Sequence, residues 1–445
     1  MRAPLRRARR AMNGRLSAPR RIEKVASLGP MPPAPTGIAT YHRAVLDGLE
    51  RIGFTEELPV EPIWPVRDQD LATVPSYRLG VYQLGNNAAF HLPIYRMVWQ
   101  APGLIVLHDL ALDDFVRGLQ TSGDRLGFVA IREALEARER MTLPDAVQNP
   151  PLRIPWVAAA ARRARGIIVH AEFCRRYLEQ IGCRTPIFVV PHPQVESASA
   201  VDGAVPTGVR LRAAAEARGA RTLVVAAGDV NEAKQLDRVL AAIASLPADV
   251  HVTVVGRTVE TYDFHPVAQR AGLGHRLHVA TDVSDVEFLG WLHAADVVAD
   301  LRYPHRGEVS GSLARAMQVG RVTVVSGTGT YLDAPLGTLV TVGPGPPEPA
   351  ELAARIVELA ADPGLRDRIG TAAREHVQRL AITDATAHGY ADAIRATIRL
   401  VEDPAGPTMR RWADALADLG VSEDDVTSGV GLRYAQALES FTHPS

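Results

Sequence analysis

Residues 306–320, RGEVSGSLARAMQVG, set a carboxylate (Glu308) and Val309 ahead of a small polar run, Ser310, Gly311 and Ser312. Leu313, Ala316 and Met317 follow at helical core spacing up to Gly320, and an apolar run at 322–325 comes next. Small polar residues opening a helix between buried strands leave backbone N–H groups pointing outward, and the helix dipole adds partial positive charge there. The chemistry this supports is phosphate binding, and a nucleotide diphosphate is expected at this loop.

A second polar turn, GDVNEAKQLDRVL (228–240), carries Asn231 and Lys234. Only Lys24 and Lys234 are lysine among 49 basic residues. An ammonium acts as a compact point charge that a planar guanidinium does not replicate. Lys234 is expected to reach into a cleft and hold phosphate together with Ser310–Ser312, with Asn231 donating an amide hydrogen bond. Glu308 reads either as a ligand for hydroxyls, such as those of a sugar, or as a helix-capping acid. Arg302, in LRYPHRGE, reads as a second cation at the same spot or as a salt-bridging side chain, and Arg315 as cleft-facing or solvent-facing. Nearer the N-terminus, His108 and Asp109 end an apolar run and read either as a pair that can donate to a hydroxyl or as a hydrogen-bonded structural pair. Asn86, Asn87 and His91, in LGNNAAFH, are polar groups at another strand end, with a structural reading open for His91. His170 and His192 read as structural. No metal-ligand cluster is convincing, and Asp113–Asp114 and Glu423–Asp425 read as solvated acids.

The elements that position these residues form two alternating series. Strands are expected at 24–29, 78–85, 103–109, 165–170 and 186–190, with helices at 38–52, 126–141 and 172–180. The second series has strands at 221–230, 251–256, 276–281, 296–301, 322–325 and 338–343. Its helices are expected at 236–246, 265–271, 285–294 and 312–319, followed by long helices at 349–361, 365–380 and 384–401. Short apolar runs ending in polar residues are the mark of buried parallel strands. The fold class is therefore α/β, two doubly wound Rossmann-like domains facing a cleft, with C-terminal helices. The expected boundaries are a disordered basic tail at 1–21, an N-terminal domain at 22–193, a linker at 194–208, and a C-terminal domain at 209–380. A helix at 381–402 crosses back to the first domain, and 403–445 form a helical tail with helices at 409–419 and 431–441. Ligands of such sheets bind beyond the carboxyl ends of the strands, where nearly every residue named above falls.

Composition agrees with a globular chain of two domains: 445 residues, 47% hydrophobic, 5% aromatic. Net charge is −1, but residues 1–21 hold eight arginines and no acid, which leaves −9 on the rest. That tail lacks the apolar stretch of a secretory signal, and no apolar run suits a membrane span. Cys174 and Cys183 are expected as two thiols in a reducing compartment, which fits a cytoplasmic protein.

These motifs, in order, resemble glycosyltransferase family 4, the retaining enzymes of the GT-B fold. The pieces are TGIATY, VYQLGNNAAFH, PGLIVLHDLAL, GIIVHAEF, VVPHP, GDVNEAKQLDRVL and LRYPHRGEVSGSLARAMQVGRVTVVS, spanning roughly 22–400. They are similar to a bacterial subgroup with LRYP followed by GE-x-SG. The resemblance implies a nucleotide-sugar donor as co-substrate, no cofactor and no metal. Donor contacts would come mainly from the C-terminal domain and acceptor contacts from the N-terminal one. It implies that Lys234 meets the donor phosphates, that Ser310–Ser312 lie under the diphosphate, and that Glu308 holds the donor sugar. It also implies that Gly37 faces the donor from the N-terminal side and that His108 lies near the transferred sugar. Two positions depart from the family pattern. Arg315 stands where a second glutamate often holds the ribose, and Asp229 stands where an arginine often precedes the motif lysine.

The function expected is transfer of a hexose-type sugar to a hydroxyl acceptor: a polysaccharide, glycolipid or secondary metabolite. The leaving diphosphate would take the acceptor's proton, so no dedicated protein base is required. Peripheral membrane contact is expected only if the acceptor is a lipid, and no nucleic-acid partner is expected. Competing readings are a GT-B epimerase or pseudo-glycosyltransferase, and a non-catalytic partner of another transferase. A nicotinamide oxidoreductase is disfavoured because the first strand is followed by GPMPPAPTG, not G-x-G-x-x-G.

Overall fold

A computed structural model describes residues 21–193, 196–259, 261–382 and 384–402. The expectations for the basic tail 1–21, Arg21 apart, and for the helical tail 403–445 lie outside the described residues. Contacts divide the chain into residues 1–394 and 395–445. The first unit holds both sheets. In the second, residues 395–402 continue the helix Ala385–Glu402.

The first sheet contains β1 (Ile22–Leu28), β2 (Val60–Ile63), β3 (Tyr77–Leu84), β4 (Leu104–Leu107), β5 (Gly166–Val169) and β6 (Ile187–Val189), in the order β2-β1-β3-β4-β5-β6. The second contains β7 (Thr222–Ala227), β8 (Val250–Gly256), β9 (Leu277–Thr281), β10 (Val297–Asp300), β11 (Thr323–Ser326) and β12 (Val340–Val342), in the order β12-β11-β10-β7-β8-β9. All pairings are parallel. Strands β4, β5, β8, β10 and β11 are buried along their whole length, because helices cover both faces. Strand order reverses between β1 and β3 in one sheet and between β7 and β10 in the other. Those two reversal points open crevices at the carboxyl ends. Gly37 and Asn86 follow β1 and β3, while Lys234 and Glu308 follow β7 and β10.

Three differences from the sequence reading have local causes. The sequence reading has no strand at β2, VEPI, whose Pro62 and half-exposed pattern are tolerated because β2 sits at the sheet edge. It also has no helix at Ala88–Gln100, which runs through Pro93. Asn87 caps that helix by accepting from Ala89 N–H at 2.9 Å, and Ile94, Met97 and Val98 bury its inner face. Finally, a helix at Ala198–Gly203 fills part of the expected linker, and the helix Val205–Ala217 also begins inside it. Pro206 falls in its first turn, where proline is suited and not disruptive.

No helix among the described residues is long and apolar enough to cross a membrane.

Candidate functional site

The carboxyl ends of β7 and β10 meet around a buried carboxylate, Asp300, which is 0% exposed. A buried carboxylate needs a counter-charge and hydrogen-bond donors to stay ionised. Lys234 supplies the charge: it pairs with Asp300 and donates to Ala227 O at 3.2 Å and Ser312 Oγ at 3.1 Å. Ser310 Oγ donates to Asp300 at 2.6 Å, and Ser312 Oγ lies 3.2 Å from it. Burial alone would raise the Asp300 carboxyl, but Lys234, Arg302 and Ser310 hold it below its ordinary value. Asn231 caps the turn by accepting from Lys234 N–H at 3.3 Å. Gly228, at φ 117°, is required here, since a Cβ would lie 2.6 Å from Lys234 Nζ and 2.8 Å from Ser312 Oγ.

Lys234 is thus beside the serine–glycine loop, but its ammonium is turned inward and only 4% exposed. All three of its N–H donors are engaged by protein. The expectation of a lysine reaching into the cleft is replaced by a lysine that anchors the loop, because an otherwise unpaired Asp300 lies beneath it.

The loop itself opens the helix Gly311–Val319. Ser310 is its N-cap, accepting from Leu313 N–H at 3.3 Å. The N–H groups of Gly311 and Ser312 precede the first intrahelical bond and find no acceptor among the described residues. Nothing lies within 4 Å of a Cβ built on Gly311 or on Gly37, which opens the helix Gly37–Arg51. Arg302 pairs with Glu308, whose other oxygen accepts from Arg306 N–H at 2.6 Å. Arg302 Nε is buried without a well-formed hydrogen bond, and the Tyr331 hydroxyl lies beside the guanidinium. Burial would raise Glu308, but Arg302 and backbone N–H groups hold it below its ordinary value, so it is ionised. Arg315 binds Glu196 at 2.6 Å and Asp285 at 3.3 Å, so it ties its helix to the crossing segment after β6.

On the first-half side, Asn86 and Asn87 serve local structure. Asn86 donates to Asp113 and Asp114, and Asn87 caps its helix. His91 is buried, with Nδ1 3.0 Å from Gln83 O. His108 Nε2 lies 2.8 Å from Gln83 Oε1, and its ring meets Tyr41 edge-on at 4.6 Å. Tyr41 also packs on His170 and His192, each 5.1 Å away, and its hydroxyl lies 2.5 Å from that of Tyr390. Asp109 accepts from Asn86 N–H at 3.0 Å. Burial, then the Glu308 charge, pushes its carboxyl up to about 7.

The two halves are clasped around the segment 303–309. Asn149 Nδ2 donates to His305 O at 2.5 Å, and His305 N–H donates back to Asn149 Oδ1 at 3.2 Å. Leu110 and Ala111 N–H donate to Arg306 O at 2.8 and 3.0 Å, and the Arg306 side chain pairs with Asp113. Asp113 and Asp114, read from sequence as solvated acids, therefore serve as cross-half anchors. Cys174 Sγ lies 3.2 Å from Gly307 O, and Val309 packs on the first core. Asp145 accepts from Gly329 N–H at 2.5 Å and Thr328 Oγ1 at 2.6 Å. Asp333 accepts from Phe173 N–H at 2.6 Å.

Asp300, Asp145, Asn149 and Asp333 were missed by sequence reasoning. Asp300 alone had a signal, as an acid ending the otherwise apolar run VVAD. A cavity of about 890 Å³ lies beside this clasp, with walls from both halves that reach Val309 and Ser310.

No family model matches the chain, and no curated protein matches it. Solved structures do. HepE of Anabaena, in complex with UDP and glucose, is 16% identical with a TM-score of 0.59, covering 84% of this chain and 100% of that one. Sucrose-phosphate synthase of Thermosynechococcus elongatus is 16% identical with a TM-score of 0.59, covering 84% and 99%. WaaG, a glycosyltransferase involved in lipopolysaccharide biosynthesis, is 14% identical with a TM-score of 0.52, covering 83% and 99%. At these identities the likeness establishes the fold: two six-stranded parallel sheets of the GT-B type.

Proposed function

We propose that the chain is a glycosyltransferase that moves a hexose-type sugar, with retention, from a nucleotide-sugar to a hydroxyl acceptor. One observation carries the reading. At the reversal point of the second sheet, the N–H groups of Gly311 and Ser312, without an acceptor among the described residues, open a helix beside the Lys234–Asp300 pair, with the Arg302 charge also acting on Asp300. Donors of this kind over a helix N-terminus suit a diphosphate. The fold supports the reading, and so do the UDP and UDP-glucose complexes of the HepE structures it resembles.

Donor contacts fall to residues 209–380 and acceptor contacts to 22–193. As the anomeric C–O bond to the diphosphate breaks, the leaving group gains charge. The loop N–H groups, the helix dipole and Arg302 stabilise it, which requires no metal. The acceptor oxygen bonds to the anomeric carbon on the same face, and its proton passes to the departing phosphate oxygen. Lys234 and Asp300 keep the loop in shape. Ionised Glu308 accepts from donor-sugar hydroxyls, and His108 offers a hydrogen bond beside the transferred sugar. Gly37 leaves room for the donor from the first half. The chain works in the cytoplasm on this reading and belongs with family 4.

Thermal-shift titration with UDP-, GDP- and dTDP-glucose should give a rise in melting temperature with one of them. Arg302→Ala should then weaken that nucleotide by about tenfold or more, the scale of a lost charge-assisted contact. A sugar altered without any acceptor would point instead to an epimerase. Failure of every nucleotide to bind would remove the donor assignment.

A further inference from the structure

The cavity beside the clasp has a charge pattern that selects its occupant. Six charged side chains line it, and each lies within 4.0 Å of an opposite charge. Asp47 pairs with Arg43, Arg51 with Asp384, Glu172 with Arg175, Glu196 with Arg315 and Asp333 with Arg176. The wall carries five carboxylates against one arginine, which is itself paired, so its charge disfavours a phosphate or carboxylate away from the Ser310 loop. Its polar end is formed by imidazoles. His170 Nδ1 and His192 Nδ1 each lie 2.9 Å from a backbone carbonyl, Val190 O and Pro193 O. A carbonyl only accepts, so both protons sit on Nδ1 and both Nε2 atoms are lone-pair acceptors. Burial lowers both rings' affinity for a second proton, His170 to about 3, so they are neutral. Neither Nε2 has a protein partner among the described residues; that of His170 is enclosed by protein, which leaves His192 Nε2 as the acceptor open to the cavity. Much of the remaining wall is apolar, including Val45, Leu313, Met317, Val377 and Leu380. Val309 and Ser310, at the rim of the candidate diphosphate loop, complete it.

We propose that this cavity is the acceptor site, and that it takes an uncharged molecule with a hydroxyl-bearing end and an apolar body, the chemistry of an alkyl or aryl glycoside. The assignment as acceptor rests on the transferase reading; the ligand class rests on the cavity wall. A hydroxyl donates to His192 Nε2, and the apolar body lies along the Leu313–Met317 face. A phosphorylated or carboxylated acceptor is disfavoured by the excess of carboxylates on the wall.

The test is calorimetric titration of the full chain with octyl β-D-glucopyranoside below its micelle concentration. Octyl sulfate (same chain, anionic head) and glucose (no chain) are the comparison ligands. Octyl glucoside should bind at least about tenfold more tightly than either. Ala44→Trp, which fills the cavity, should abolish that binding. His192→Phe, which keeps the ring but not the lone pair, should weaken it about fivefold, the scale of one neutral hydrogen bond. Absent binding, octyl sulfate binding equally well, or binding that survives Ala44→Trp would overturn the proposal. A nucleotide that raises the wild-type melting temperature should still do so in Ala44→Trp. Its loss would make the cavity a nucleoside site and overturn the acceptor assignment. If octyl glucoside binds as expected and no nucleotide binds at all, the transferase reading fails while the ligand class stands.

Discussion

Lys234 and Asp300 show how a single residue's role turns on what lies beneath it. Lysine in a polar turn after a strand has every local reason to face solvent, yet Nζ is spent on Asp300, Ala227 O and Ser312. Lys234→Ala should therefore destabilise the protein by about 3–5 kcal/mol in urea unfolding, the cost of orphaning a buried charge. Lys234→Met combined with Asp300→Asn should recover much of that loss. A single variant within about 1 kcal/mol of wild type would show that the pair does not anchor the loop. Asp109 carries a pH signature. Its folded carboxyl sits at about 7 against an ordinary 3.8, so the folded state holds a proton that the unfolded state has released. Stability should fall as pH rises from about 4 to about 7, by up to about 1.4 kcal/mol per unit, and level off above. Melting curves of Asp109→Asn across that window should lack this slope; an unchanged slope would assign it to other groups.

Among the elements, the segment 303–309 is held as firmly by the opposite half as by its own. Pro144–Gln148 and the turn after it act as a template, with Asn149 gripping both backbone groups of His305. A side-chain amide carries its donor and acceptor side by side, which lets one residue satisfy both groups. Asn149→Ala leaves both groups buried and unpaired, about 1–3 kcal/mol each. Amide hydrogen exchange should accelerate across 302–310 while β7 and β8 keep their protection. Equal exchange in variant and wild type would mean that the second half shapes this loop unaided. Because Glu308 lies within this stretch, its place opposite Asp109 depends on contacts made by the first half.

Residues 1–394 hold two sheets whose halves meet through the segment 303–309. Asp333 links them by accepting from Phe173 N–H, in the first turn of the helix Glu172–Gln180, and by pairing with Arg176. Asp333→Ala removes a helix-capping acceptor worth about 1 kcal/mol and one charge pair between the halves. Solution scattering should show a larger radius of gyration, from a greater share of molecules with the halves apart. An unchanged radius would place the restraint in the Asn149 and Arg306 contacts instead.

The sequence by itself determined the α/β class and most strands, because a parallel strand covered on both faces must be apolar throughout. It also pointed to Ser310–Ser312, since small polar residues before an amphipathic run leave a helix start little choice. Strand β2 was illegible because Pro62 is permitted only by an edge position that sequence does not display. The direction of Lys234 was illegible for a different reason: its partner is 66 residues away and belongs to another strand. Asn149 and His305, 156 residues apart, are likewise ordinary loop residues until the chain brings them together. Tertiary structure decided which charges are spent on one another and which donors remain free, because a buried charge must find its partner in space and the chain order does not record that search.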